Sequence, residues 1–187
     1  MKIAILGWGS LLWETHPEFD LWHSFWEYDG PTLKIEFSRV SESRNNALTL
    51  VIDPVNGVEV TVAWCLSQRT TLTDAIRDLM SREGTKPDCI GSIIVNHNEN
   101  LWEHYVFEKE IIEWAAPKDL DAVIWTALPS NFQEKTNQSF SVDNALSYLK
   151  SLPIKDKEKA EEYIKKAPQF VQTPLRNAFQ QEGPIKN

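Results

Sequence analysis

Cysteine is nearly absent from this 187-residue chain: the two present, Cys65 and Cys89, make neither a disulfide framework nor a four-thiolate zinc site. Such usage is that of a chain kept in a reducing compartment, and a cytoplasmic location is the expectation. Positive charge is in deficit, with 19 Lys and Arg against 27 Asp and Glu and a formal net charge of −8. That balance argues against duplex nucleic acid or an anionic membrane as the main partner, because phosphate binding takes clustered Lys and Arg. Long apolar runs are missing too. The apolar opening from Lys2 to Trp13 is followed by Glu14-Thr15-His16-Pro17 rather than a small-residue cleavage site, so it reads as a buried strand, and nothing reaches the roughly 18 apolar residues of a membrane span. No segment repeats at a fixed period. Glycine is scarce, at seven residues, and two of these, Gly7 and Gly9, stand two apart at the end of the first apolar run. Glycine so placed permits a special backbone angle or a close approach.

What the chain does have is aromatic bulk. Eight Trp and eight Phe, within 42% hydrophobic and 25% charged residues, are enough for one globular domain with a core built from large rings. Strand patterns cover residues 2–8, 32–39, 47–52, 58–66, 90–95 and 122–127, with turn signals at Asn45-Asn46 and at Pro54-Val55-Asn56-Gly57. The second to fourth of these predict an antiparallel meander. Residues 11–30, crowded with Trp13, Phe19, Trp22, Phe25, Trp26 and Tyr28, read as a packed loop or a short helix. A helix is predicted from Thr71 to Gly84, where Leu72, Ile76, Leu79 and Met80 share a face, Thr71 is a cap with Asp74 three residues on, and Gly84 is a terminator. Further helical patterns cover 101–115, 141–152, 155–167 and 174–181, and Ala160, Tyr163, Ile164 and Ala167 line one stripe of the third. Helices and strands mix without strict βαβ alternation, so the predicted class is α+β. The C-terminal end is mildly basic and reads as a helical layer with a solvated charged face.

Two features carry chemistry. Glu83 stands four residues after Leu79 and seven after Ile76, which puts its carboxylate on the apolar stripe of its own helix. Desolvation and the negative end of the helix dipole both disfavour a carboxylate anion, so a Glu there can titrate near neutrality, as a general acid/base must. The alternative from periodicity is a last-turn Glu that frays into solvent or pairs with Arg82 or Arg77. The second feature is Gly7-Trp8-Gly9-Ser10-Leu11-Leu12. A dinucleotide fingerprint would need glycine at Leu12, and a nucleophile elbow would need Gly-x-Ser-x-Gly, so both are excluded. A strand end whose successive N–H groups hold an anion remains, and so does a tight turn without a ligand. His16 with His23, and His97 with His104, are seven apart, but no Asp, Glu or Cys completes a metal set, so no metal is expected. Cys65, in an apolar strand, and Cys89 read as small apolar residues rather than catalytic thiols.

The run Leu6-Gly-Trp-Gly-Ser-Leu-Leu-Trp-Glu14 resembles the strand-end Tyr-Gly-Ser motif of the gamma-glutamylcyclotransferase-like superfamily, and is most similar to the Gly-Tyr-Gly-Ser-Leu-x-Trp pattern of its ChaC branch. Val62-Ala63-Trp64-Cys65-Leu66 resembles that branch's Val-Ala-Tyr-Arg-Leu strand, and Leu79-Met-Ser-Arg-Glu83 its Leu-x-x-Arg-Glu helix end. Order and spacing agree across residues 3–95. The resemblance implies a small mixed β-barrel flanked by helices over residues 1–127 and no cofactor, to which the helical patterns add a C-terminal helical extension over 128–187 in the same domain. It implies a small-molecule substrate, a γ-glutamyl amide or peptide, converted to 5-oxoproline and a free amine, with Glu83 as the catalytic group. Substrate binding falls on Gly7, Trp8, Gly9, Ser10 and Leu11, and a looser likeness adds Arg39 as a carboxylate clamp. Trp8 stands where the motif has Tyr, and 84–91 lacks the Tyr that often follows the catalytic Glu, so a γ-glutamyl binding module without turnover is the alternative. Trp22 and Trp26 are expected in the core or, less readily, as a wall for the leaving group. Residues 96–187 carry no recognised catalytic motif.

Overall fold

The computed structural model describes residues 1–95 and 107–182. The protein is α+β, and among the described residues its strands form two open sheets, one of four strands and one of three, where the resemblance implies a closed barrel. The chain divides into two compact units interleaved in sequence: Met1–Gly7, Glu14–Leu33 and Thr61–Leu128 form the first, Trp8–Trp13, Lys34–Val60 and Pro129–Asn187 the second.

The first unit is built on the four-stranded sheet. Strand β1 (Ile3–Gly7) lies inside it, buried at all five positions, between β5 (Ala63–Leu66), to which it is antiparallel, and β7 (Ala122–Thr126), to which it is parallel. An inner strand covered on both faces reads as an unbroken apolar run, which is why Ile3-Ala4-Ile5-Leu6 shows no alternation. At the edge, β6 (Ile90–Ile94) pairs with β7 antiparallel and in unbroken register, placing Gly91 opposite Trp125. The short α1 (Pro17–Asp20) lies in the aromatic loop. Helix α2 (Leu72–Glu83) packs on β6 and β7, and α3 (Glu108–Ala115) on β7. The helix predicted over 101–115 begins outside the described residues, as do His97 and His104.

The three-stranded sheet has the order β3-β2-β4, with β2 at Thr32–Ser41, β3 at Ala47–Ile52 and β4 at Val58–Thr61. It is not the predicted meander, because β3 and β4 both flank β2. The run 58–66 also breaks at Val62, whose N–H donates to the Pro31 carbonyl and whose carbonyl accepts from Gly30 N–H, and the next four residues leave as β5.

The other described elements of the second unit include four α-helices: α4 (Phe132–Thr136), α5 (Val142–Ser151), α6 (Ile154–Lys166) and α7 (Pro174–Glu182). Helix α6 packs on β3, and α5 packs on α6 and α7. Only α4 has no counterpart in the sequence pattern. It starts after Asn131, whose side chain accepts from Val40 N–H and donates to the Val40 carbonyl, so two backbone groups at the end of β2 are satisfied by one amide side chain. The β2–β3 turn is the Asn45-Asn46 signal in its expected form, both residues left-handed at φ 55 and 58°. Beneath α7, Glu36 of β2 is fully buried and accepts from its neighbour Phe37 N–H at 2.7 Å and, more distantly, from Leu175 N–H at 3.5 Å, one of the donors that a helix start leaves open. Burial pushes its carboxyl above the usual range, and hydrogen bonds from Thr173, Phe37 and Leu175 offset only part of that push.

Candidate functional site

In the first unit, the sequence of α2 delivers Glu83 by its ends. Thr71 Oγ1 accepts from Asp74 N–H at 3.2 Å and its hydroxyl donates to the Asp74 carboxylate at 2.6 Å, which fixes the first turn. Gly84 closes the helix in the left-handed region at φ 56°, with its N–H on Ser81 O and Thr85 N–H on Met80 O. Ala75 and Leu79 are the buried positions, with Leu72, Ile76 and Met80 half-covered at the margins of that face.

Glu83 is the last helical residue, and its side chain is 18% exposed. The burial that periodicity suggested and the pairing that was its alternative occur together. Arg82, 7% exposed, places Nη1 3.5 Å from Glu83 Oε1 and Nη2 3.7 Å from Glu14 Oε2, and Nη2 also donates to the Glu14 backbone carbonyl at 3.3 Å. One guanidinium therefore joins two carboxylates. Glu14 ends the first of the resemblance motifs and Arg82-Glu83 ends the third, so residues about seventy apart in sequence are fixed together within one unit. A guanidinium fork is suited to this because its donors are rigidly splayed and stay charged. The result is a carboxylate held in place at a helix terminus, which can exchange a proton with a bound molecule.

In the second unit, Trp8 is buried and its indole N–H donates to the Leu50 carbonyl at 3.4 Å, so the donor that replaces the motif's tyrosine hydroxyl is directed at backbone. Gly9 leads into a turn at Ser10–Leu12 whose own bonds run from Leu12 N–H to Gly9 O and from Trp13 N–H to Ser10 O. The amides of Gly9, Ser10 and Leu11 precede the first of these bonds, as the leading amides of any helical turn do. Gly9 is not left-handed, and the space beside it is tight. A Cβ there would stand 3.1 Å from the hydroxyl oxygen of Tyr163, tighter than a comfortable contact. Gly7, in the first unit, ends β1 opposite Ala63.

The guanidinium bonded to this turn is that of Arg44, which donates to Ser10 Oγ at 2.8 Å and lies over the Tyr163 ring, 5.3 Å from its centroid. Tyr163 comes from the buried stripe of α6 and meets Trp13 and Phe37 edge-on at 5.2 and 6.2 Å. Arg39 lies elsewhere: its Nη1 donates to the Pro129 carbonyl at 2.7 Å. Sequence reasoning placed Tyr163 on the stripe but only as core, and Arg44 gave no signal beyond its place beside the Asn45-Asn46 turn.

The remaining sequence candidates spread out. Trp22 is 39% exposed rather than in the core, and Arg69, held by two bonds to Asp78, stacks on its ring at 3.5 Å. Trp26 is half-buried beside His23. His16 caps α1, accepting from Phe19 N–H. Cys65 is buried in β5, and burial pushes its thiol pKa well up. Among the described residues no group of three or more His, Cys, Asp or Glu is placed to hold a metal ion, and no helix is long and apolar enough to cross a membrane. Comparison of the chain with known families, curated proteins and solved structures returns no match.

Proposed function

We propose that the chain is a cytoplasmic gamma-glutamylcyclotransferase-like enzyme with no metal or organic cofactor. It converts a γ-glutamyl amide or peptide to 5-oxoproline and a free amine. The observation that carries the reading is the Glu14–Arg82–Glu83 cluster: a largely buried carboxylate at the end of α2, held by a guanidinium that also fixes the end of the glycine-rich run.

In the reaction, the substrate's α-amine attacks its own γ-carbonyl carbon. The new carbon–nitrogen bond closes the five-membered ring, and the old amide bond breaks. Glu83 takes a proton from the attacking amine and returns one to the leaving amine, so protons balance without an external acid. The resemblance assigns the substrate carboxylate or the developing oxyanion to the amides of Gly9, Ser10 and Leu11. Holding the γ-glutamyl group bent converts freedom lost on binding into rate, which intramolecular attack rewards strongly.

Mass-spectrometric product analysis over γ-glutamyl dipeptides, γ-glutamyl amines and glutathione tests the reading. Equimolar 5-oxoproline and amine support it; free glutamate would mean hydrolysis instead. The second reading, a γ-glutamyl binding module, is favoured by the Trp8 N–H bond to Leu50, which leaves no hydroxyl where the motif has one. It predicts ligand-induced thermal stabilisation with the ligand recovered intact.

A further inference from the structure

Eight large apolar side chains stand exposed among the described residues, and three of them, Leu21, Trp22 and Phe25, fall within five consecutive positions of the first unit. Leu21 is 75% exposed and Phe25 95%, so both side chains lie almost wholly in water. A single exposed apolar residue is ordinary on a protein surface, whereas a cluster marks a place where something docks. The segment that carries them is not a loose loop. Its backbone is bonded along β5 and just past its end: the Trp22 carbonyl accepts from Gln68 N–H at 2.7 Å, Ser24 N–H donates to the Leu66 carbonyl at 2.8 Å, and Leu66 N–H donates to Ser24 Oγ at 2.9 Å. Glu27 and Trp64 exchange N–H···O bonds at 2.7 and 2.9 Å. Bonds on either side of Phe25 fix the backbone that presents it, so little freedom is left to lose when a partner arrives.

Leu21 and Trp22 also line a cavity of about 280 Å³, together with His16, Glu18, Arg69 and Asp78. Arg69 stacks on the Trp22 ring and is bonded twice to Asp78, which braces the aromatic wall. The volume falls below the roughly 300–1,000 Å³ usual for small-molecule sites and suits one inserted side chain better than a whole ligand. The surrounding charge is of one sign. Residues 14–33 contain Glu14, Glu18, Asp20, Glu27 and Asp29 and no Lys or Arg. Glu14 is turned to Arg82 and Asp29 to Lys118, while Glu18, Asp20 and Glu27 stand exposed. Two copies of this surface apposed about a two-fold axis would bring like charges together, and an anionic lipid surface would meet the same repulsion. A basic partner meets attraction. We infer that Leu21, Trp22, Phe25 and the cavity beside them are a docking surface for a basic segment of another protein, which seats an apolar side chain in the cavity and sets Lys or Arg against Glu18, Asp20 and Glu27. The inference does not depend on the cyclotransferase reading.

In the test, the immobilised full-length protein selects from a phage-displayed library of short random peptides, and the enriched peptides are measured by fluorescence anisotropy. Sequences that combine several Lys or Arg with Leu, Met or aromatic residues are expected. Leu21→Ser/Phe25→Ser is expected to weaken their binding about tenfold or more, since a few apolar anchors dominate such interfaces. Glu18→Gln/Glu27→Gln weakens it at low salt and flattens its dependence on salt. Val55→Ser/Ile154→Ser, which removes two other exposed apolar side chains in the second unit, leaves it unchanged. Every substituted position is exposed, so the fold survives, and circular dichroism verifies it. Enrichment of neutral or acidic peptides, no enrichment at all, or affinity indifferent to Leu21→Ser/Phe25→Ser overturns the inference. So does self-association in sedimentation velocity, or flotation with vesicles of phosphatidylcholine and phosphatidylserine, that this variant abolishes, because the occupant is then a second copy or a lipid surface.

Discussion

Replacing Gly91 by alanine puts a methyl group where an indole already lies. Gly91 and Trp125 are register partners on β6 and β7, and a Cβ on Gly91 would stand 2.3 Å from Trp125 Cε2, 2.5 Å from Cζ2 and 2.6 Å from Nε1. Carbon atoms in contact prefer about 3.5–4.0 Å, so the ring must retreat by roughly 1 Å or more. Trp125 is 1% exposed, and a rigid bicyclic ring in a packed interior has no small rotation that opens such a gap. Overpacking of this kind costs about 1–3 kcal/mol, and a rigid obstacle argues for the upper end. Alanine recovers about 0.5–1 kcal/mol of backbone entropy, leaving a net loss of about 2 kcal/mol. For a chain of this size that is a fall in Tm of about 4–8 °C. Thermal unfolding followed by far-ultraviolet circular dichroism measures it, and repeating Gly91→Ala in a Trp125→Leu background isolates the contact. In that background the alanine is expected to be neutral or mildly stabilising. A Tm unchanged in the wild-type background, or an equal loss in both backgrounds, would refute the steric argument.

Gly84→Ala tests backbone conformation instead of space: no atom lies within 4 Å of the added Cβ, so the cost is the left-handed φ alone, about 1 kcal/mol or a Tm fall of about 2–4 °C. Glu36→Gln tests burial of charge. With its folded pKa raised above 4.5, Glu36 contributes its full stability only below the unfolded value and loses it as pH rises through the folded value. The stability of Glu36→Gln relative to wild type, from urea titrations at pH 4 to 8, should therefore climb with pH whatever the constant offset from altered hydrogen bonding; a flat or falling difference would contradict the burial argument. Cys65 is shielded in β5 while Cys89 is half-buried, so a thiol reagent should modify Cys89 in the native protein and reach Cys65 only on unfolding.

Where the chain was legible, local chemistry and tertiary structure agree. Thr71, Asp74 and Gly84 mark the ends of α2 within a residue, because caps are satisfied by neighbours in sequence. Asn45-Asn46 marks its turn for the same reason. Where the reading missed, a distant partner decided. Residues 58–66 have strand propensity throughout, and the break at Val62 is set by Gly30 and Pro31, some thirty residues away. The three-stranded order follows from both β3 and β4 choosing β2, which turn signals do not specify. At the candidate site, Glu83 was visible through its helix stripe and motif. Arg44 was not, since its link to Ser10 spans 34 residues, and Arg39 was the nearer likeness although its guanidinium serves Pro129. The role of Tyr163 was hidden for a different reason: a buried tyrosine on an apolar stripe looks like packing, and only its placement against Gly9 and Arg44 gives it another.

The central claim is that Glu83 moves the protons of cyclotransfer, and single-turnover release of 5-oxoproline by wild type and Glu83→Gln on the best γ-glutamyl substrate addresses it most directly. The substitution preserves shape and removes proton exchange, so the account predicts a rate loss of about 10²–10⁴-fold, typical of a lost general acid/base, with substrate binding retained by calorimetry. Undiminished turnover by Glu83→Gln would contradict it.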